Sequence, residues 1–569
     1  MGALSFGSRH ANGDYSDHVG INQVHDTLSE VTIHHETETI VGTGESAGDN
    51  KNKLTSQLGQ DAIIYKMTDA GMPVSVYAMD TMPSDGVLDG TGENGGWGGW
   101  SYINGIDNFD LAGETDQVVA VGSQRGSLKF PKTGGTPVEL KNVKSGSYDP
   151  WVAKIDMAAG SVVWATKEGI DLPQEEGGDA YSGYPVSVVA TAAGHVIATT
   201  RYWINRKYSG RLSKFNGLNG ALVWSKNFGT ELYQRYGKMS VDGETAYMTG
   251  NFKGKDSTAF APLTTTSCED GEGASVVVAA FDVSPSDAPV ASWATVIGCG
   301  SRDGGSFLEG NYLYVLGNLA SETALTPADG VAADTCKMTG ALGGFLVKLN
   351  KADGKCVWAK DIGARGYAPR VVANADSVWT SDYSSSAVKL DAEKEIVTEG
   401  YDMILVKYRA SDGAGLWGDV IGAEGGDRGY DMAMTPLGPI AVGSSDSAAI
   451  AAGAVTANNL QQTDAVDGQT AMFVIQMSMT DTHLPSCITN CPSGKLSDAT
   501  IAANNCFISG KCLAHGAPFP GLTCFKCDAN TDPKNLPENP DLTNHCYFGG
   551  KCVEAGKVAP SYTYYNSNR

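Results

Sequence analysis

The chain has 569 residues, of which 71 are Gly and only 18% are charged; set against the usual ~7% Gly and ~25% charged, this excludes coiled coils and long helical bundles. Hydrophobic residues at 41% supply ample core, which excludes disorder throughout. A formal charge of −23, with no Lys/Arg cluster to override it, excludes nucleic acid as a partner.

No stretch approaches the ~18 consecutive apolar residues of a membrane helix. The start, "MGALSFGSRHANGD", has no basic segment followed by an apolar one, so no signal peptide is visible. Phe6 stands where a myristoylation signal needs Ser or Thr. Eight of the twelve cysteines fall between Cys487 and Cys552, a density that a reducing cytosol would not keep as disulfides. The expectation is an extracellular protein whose leader lies outside this sequence. It carries no Asn-x-Ser/Thr sequon, so N-glycosylation is not expected.

One pattern recurs down the chain. It begins with "DAIIYKMTDAGMPVSVYAMD" at Asp61, where Tyr77 takes the place of a Trp, and returns as "DPWVAKIDMAAGSVVWATKEG" at Asp149. Further copies start at Gly210, Ala274, Gly343 and Asp402, and a truncated one at Ala471. Lys154, Lys214, Ala280, Lys348, Lys407 and Gln476 share one frame. Each copy reads as two alternating strands about a Gly- or Asp-bearing turn, a β-hairpin signal. Between the copies lies a second set of strands, starting at Glu38, Gln117, His195, Thr245, Tyr312, Ser377 and Pro439. A further short strand precedes most of these, so each unit supplies about four antiparallel strands.

Sheets of this kind cannot bury both faces alone, and radial packing solves the problem. The predicted fold is therefore all-β: a seven-bladed β-propeller over residues 1–483. Its seventh unit lacks an outer strand, and "GALSF" (Gly2 to Phe6) matches "GALVW" (Gly220 to Trp224) if Phe replaces Trp. The N-terminal Ala3–Phe6 is predicted to close that last blade. Trp164, Trp224, Trp293, Trp358 and Trp417 occupy one register, and packing between adjacent blades accounts for them better than ligand stacking. Trp97 and Trp100, in the Gly-rich loop "GGWGGWSYING", are the candidate ligand-binding residues, together with the loop "ELYQRYGK".

After about Leu484 the pattern changes to C-x3-C-x14-C-x5-C-x11-C-x2-C-x18-C-x5-C, formed by Cys487, Cys491, Cys506, Cys512, Cys524, Cys527, Cys546 and Cys552. Here "NNCFISGKC" recurs as "NHCYFGGKC", so residues 484–569 read as small modules stapled by disulfides. Their pairing stays open, and zinc is the competing reading for Cys524 and Cys527. The second module stops before its own C-x-x-C, so the native polypeptide is expected to continue past Arg569. Cys268 with Cys299, and Cys336 with Cys356, fall within single predicted blades and are expected to form disulfides.

Catalytic motifs lack their context. "GESAG" (Gly44 to Gly48) matches the hydrolase nucleophile elbow without the strand-turn-helix that lifts the serine. "GTGENG" (Gly90 to Gly95) has no βαβ unit around it. His34, His35 and Glu36 lack the spacing that puts two metal ligands on one helical face. "DANTD" (Asp528 to Asp532) resembles the opening of a calcium loop but lacks its later Gly and Glu. No catalytic residue and no cofactor other than calcium is expected.

The repeat D-x-x-V-x-K-x-x-x-x-x-G-x-x-x-W, followed by G-x-x-x-V-x-G, resembles the seven-bladed beta-propeller repeat family common in secreted bacterial and algal proteins. The tail resembles tandem EGF-like modules. The combination is similar to algal (stramenopile) flagellar-hair and sexually induced extracellular-matrix proteins. That resemblance implies an extracellular structural protein, not an enzyme, self-associating into a filament or matrix at the cell surface. The alternatives are an adhesin that binds glycans or other extracellular proteins, and an enzyme with its site at the propeller's central opening.

Overall fold

The computed structural model describes residues 59–68, 73–82, 99–109, 116–141, 148–168, 182–204, 207–229, 238–252, 275–298, 303–319, 322–339, 343–362, 370–384, 402–422, 427–435 and 438–445, and elsewhere individual strands. Among the described residues it is all-β apart from a 3-10 turn at Ala333–Cys336. Two compact units are present: residues 2–434 with 440–476, and residues 477–569 with residues 1 and 435–439.

In the larger unit, pairing groups the described strands into antiparallel meanders of four. The first runs Thr27–His34, Thr39–Ser46, Gly59–Thr68, Pro73–Ala78, and the second Gly99–Asn108, Gln117–Arg125, Asp149–Asp156, Ser161–Lys167. A third follows with Ser182–Ala190, His195–Ile204, Lys207–Asn216, Leu222–Gly229, and a fourth with Ser240–Asp242, Thr245–Phe252, Ser275–Asp282, Val290–Ile297. The fifth is Asp303–Glu309, Tyr312–Asn318, Gly344–Asn350, Cys356–Ile362; the sixth is Arg370–Ala373, Ser377–Ser384, Asp402–Arg409, Gly415–Gly422. In the last, Asp427–Thr435, Gly438–Ser445 and Ala471–Gln476 are joined by Ala3–Phe6, with Ala3 opposite Ile475 and Phe6 opposite Met472. The chain's first strand is thus the outer strand of its last sheet.

The first six meanders pack face on face in chain order: among the described residues, five hydrophobic clusters each draw on two neighbours. Ile64 and Tyr77 of the first sheet meet Val118 and Trp151 of the second. Trp164 of the second meets Val196 and Phe215 of the third, and Leu212 and Trp224 meet Phe281 of the fourth. Trp293 then meets Val347, and Trp358 meets Val406. The second to fifth sheets each bury both faces by lying between two others, which is the β-propeller arrangement. The inner strands lie side by side from the first meander to the sixth.

Several features depart from the simple repeat, among them a separate sheet of Asp80–Met82, Ser127–Phe130 and Val138–Leu140. A short parallel bridge, Gly59 to Gly99 and Gln60 to Trp100, links the first two meanders. The sixth gains two further strands on its outer edge, Ala449–Ala452 and then Leu460–Gln461. In the fifth, residues 322–339 fold back so that Thr326 and Ala328 bracket Cys356 through backbone hydrogen bonds, and Cys336 is disulfide-bonded to Cys356 across 20 positions.

The described strands of the smaller unit pair as short antiparallel two-stranded units. Asn505–Ile508 pairs with Lys511–Ala514, and forty residues on His545–Phe548 pairs with Lys551–Glu554 in the same register, Cys512 facing Phe507 as Cys552 faces Tyr547.

Candidate functional site

The residues that the repeat specifies meet at the junctions between meanders. On each third strand the frame residue pairs directly with the Trp of the outer strand: Lys154 with Trp164, Lys214 with Trp224, Ala280 with Trp293, Lys348 with Trp358, Lys407 with Trp417. A β-bulge follows immediately in all five, and such a kink fixes where the two side chains aim. They aim at the hairpin turn of the next meander. Trp164 Nε1 donates to Gly217 O at 2.9 Å, Trp224 Nε1 to Pro285 O at 2.9 Å, Trp293 Nε1 to Lys351 O at 2.9 Å and Trp358 Nε1 to Ala410 O at 3.1 Å. Lys214 Nζ donates to Val283 O at 2.6 Å, and Lys348 Nζ to the same Ala410 O that Trp358 uses, at 2.9 Å.

These lysines are buried, so aromatic faces and carbonyls must replace water around the ammonium. Lys154 Nζ lies 3.7 Å from the Phe109 ring centroid, Lys348 Nζ 3.9 Å from that of Tyr312, and Lys407 Nζ 4.7 Å from that of Trp379. Burial pulls the Lys348 ammonium below the ordinary lysine range.

The turn glycine completes the clasp. Gly220 has φ +71°, and a Cβ there would lie 2.5 Å from Trp164 Cε3; Gly413, at φ +72°, would meet Trp358 Cε3 at 2.9 Å. Only a residue without a side chain fits both the left-handed backbone and the indole lying on it. Gly160 tests that explanation: it has φ +57° but open space around it, because the preceding meander has no Trp in this frame. There Tyr77 pairs with Ile64, while Lys66 pairs with Ser75. Tyr77 therefore sits two positions off the Trp place that the sequence suggests, although its hydroxyl still donates to Pro131 O at 3.0 Å.

Sequence reasoning missed a second cluster, on the inner strands. Asp431 of the seventh meander is fully buried; its Oδ2 accepts from Lys238 Nζ at 3.0 Å and its Oδ1 lies 3.3 Å from Arg370 Nε. Lys238 leads into the fourth inner strand and Arg370 opens the sixth, so one carboxylate ties three meanders together. Hydroxyls continue the contact: Ser306 Oγ donates to Lys238 O at 2.8 Å, and Met239 N donates to Ser187 Oγ at 2.9 Å. Ser187 and Arg370 each pair two residues past the position facing the repeat lysine, a shared register that could have flagged them. Bulges at that point in several inner strands hide the alignment from a sequence pattern.

The other sequence-predicted residues are placed as follows. Trp417 is half-buried with its ring 5.9 Å from Trp379. Trp100 opens the second inner strand opposite Arg125, while Trp97 lies outside the described residues. Cys268, Cys299, Cys487, Cys491 and Cys527 lie outside them too; Cys506, Cys512, Cys524, Cys546 and Cys552 are described only as strand backbone, and Asp528–Asp532 is not described. Among the described residues, no three His, Cys, Asp or Glu side chains are grouped to hold a metal ion, and no helix is long and apolar enough to cross a membrane.

No protein-family model and no curated protein sequence matches the chain. Among solved structures it is similar to the Dos1 propeller (8% identity, 80% of this chain and 93% of that one, TM-score 0.36). It is similar to hydrazine synthase of Kuenenia stuttgartiensis (12%, 60% and 73%, 0.32) and to Trypanosoma rangeli sialidase solved with the inhibitor DANA (8%, 68% and 55%, 0.32). Likenesses this distant carry no functional argument, and the fold rests on the sheets themselves.

Proposed function

We propose that the protein is a non-catalytic structural scaffold, a closed seven-bladed β-propeller carrying EGF-like modules, and that it serves as a subunit of an extracellular filament or matrix at the cell surface. The observation that carries this reading is the fate of most repeat residues: Trp164, Trp224, Trp293 and Trp358, Lys214 and Lys348, and the turn glycines Gly220 and Gly413 are spent on clasping one meander to the next. A row of side chains committed to neighbouring carbonyls presents nothing to a substrate. Such sheets make a stiff ring, and a ring shut by the chain's own first strand has no open end to fray. The reading needs no cofactor; calcium at Asp528–Asp532 would serve only to order the tail.

The test is assembly. Protein isolated without reduction and studied by sedimentation across a dilution series, in native extracellular salts, is expected to associate. Strict monomer behaviour throughout would count against the proposal.

One observation favours a second reading, a binding module. Lys238 keeps 26% of its side chain exposed beside the buried Asp431, so a ligand entering between the inner strands would meet a cation there. Glycan binding lost on Trp97→Ala and Trp100→Ala, or on Lys238→Met, would move this reading ahead of the scaffold.

A further inference from the structure

The charge of the chain is not evenly spread. Residues 180–230 hold no Asp or Glu at all, while they hold Arg201, Arg206, Lys207, Arg211, Lys214 and Lys226, of which Arg211 and Lys214 are buried. Removing those six from the totals leaves 35 Lys+Arg against 64 Asp+Glu, so the rest of the chain carries 35 − 64 = −29. No dense run of cations marks this stretch; the absence of acids does. The segment coincides with the third meander.

The same meander exposes apolar side chains. Among the described residues six large hydrophobics are exposed, and three belong to its last hairpin: Leu218 at 67%, Leu222 at 52% and Val223 at 36%. On the outer strand they adjoin exposed Ser225 and Asn227 and half-buried Lys226, while Trp224 faces inward. Among the described residues no further strand pairs with that edge, as with the outer edges of the second, fourth and fifth meanders, whereas the sixth covers its own with Ala449–Ala452; the third is set apart by its exposed apolar residues and its lack of acids. An uncovered edge strand carrying Leu and Val is a template for pairing or packing.

We propose that the outer edge of the third meander, Leu218 with Leu222–Lys226, is the docking face for a second copy of this chain, which presents acidic surface to it. The inference rests on the assembly reading above and names its contact. Two facts choose this occupant over an anionic glycan. The apolar residues that precede the lysine would gain nothing from a sulfated or carboxylated sugar, and the complementary charge is supplied by the chain itself at −29 outside the segment. Contact between this acid-free apolar edge and an acidic partner face buries Leu218, Leu222 and Val223 while bringing Lys226 to a carboxylate.

The test uses the full chain and sedimentation velocity at low and high salt. Wild type is expected to associate, more weakly as salt screens the charge contact. Leu222→Glu with Val223→Glu is expected to raise the dissociation constant about tenfold or more. Lys226→Glu is expected to weaken association at low salt and to match wild type at high salt. Val290→Glu, at an exposed position of the fourth meander, is the control and associates like wild type. All four positions lie at the surface, so unchanged melting profiles show that the variants are folded. If both third-meander variants associate like wild type, this docking face is wrong while the assembly reading stands. Where wild type itself never associates, both fall. Wild type that is monomeric but binds dextran sulfate, with binding lost in Lys226→Glu, overturns the proposal in favour of a glycan site.

Discussion

Gly220→Ala, compared with Gly160→Ala, separates backbone strain from the clasp. Both glycines sit in hairpin turns with positive φ, +71° and +57°. Placing an L-residue in that conformation costs roughly 1–2 kcal/mol, partly offset by a less flexible unfolded chain. For Gly160→Ala that is the whole cost, because nothing lies within 4 Å of the added methyl. At Gly220 the methyl would stand 2.5 Å from Trp164 Cε3 and 2.7 Å from its Cδ2, whereas carbon atoms rest about 3.5–4.0 Å apart. The indole must therefore shift by about 1 Å, losing packing worth roughly 1–3 kcal/mol. Its hydrogen bond to Gly217 O is worth about 1 kcal/mol more. Gly220→Ala is expected to be the more destabilising by about 2–4 kcal/mol in equilibrium urea unfolding followed by tryptophan fluorescence. In a Trp164→Ala background that excess should vanish, as expected of a pairwise effect. Equal destabilisation by the two substitutions, or an excess that survives without Trp164, would refute the clasp.

Four other outcomes follow from the same contacts. Lys348→Met and Trp358→Phe each remove one donor from Ala410 O, so their stability effects should be non-additive by about 0.5 kcal/mol or more in a double-mutant cycle; simple additivity would show that the carbonyl is not shared. Cys336→Ser with Cys356→Ser opens a 20-residue loop and should cost about 3 kcal/mol, seen as a lower melting temperature that reducing agent reproduces in wild type. Asp431→Asn leaves Lys238 and Arg370 facing each other and is expected to cost about 3 kcal/mol or more; an unchanged urea midpoint would remove the inner-strand latch. Deleting Met1–Ser8 takes away the strand paired to Ala471–Gln476 and should lower the melting temperature, whereas unchanged stability would contradict closure by the N-terminal strand.

Much of this architecture was legible because it repeats. Lys and Trp recur at fixed separation, and that separation is what makes them cross-strand partners one position before a bulge. The turn Gly was visible as a letter in the pattern, but its reason, an indole from the previous sheet, belongs to a contact between repeats. Tyr77 misled because aromatic character survives in the first meander while the register does not. The Lys238–Arg370–Asp431 latch was illegible for a different cause. Each member occurs once, in a different meander, and the pair Lys238 and Asp431 is separated by 193 positions. Periodicity finds what every unit shares, and a latch across the inner strands is built from what the units do not share. The fold-back of residues 322–339 over Cys356 escaped for the same reason. The acid-free stretch was hidden by a net charge that averages over the whole chain.

Electron microscopy of the native protein, isolated without reduction, tests the scaffold reading most directly. The account predicts filaments or regular arrays whose subunits average to a ring of seven sheets. Dispersed single particles, or rings with another number of sheets, would contradict it.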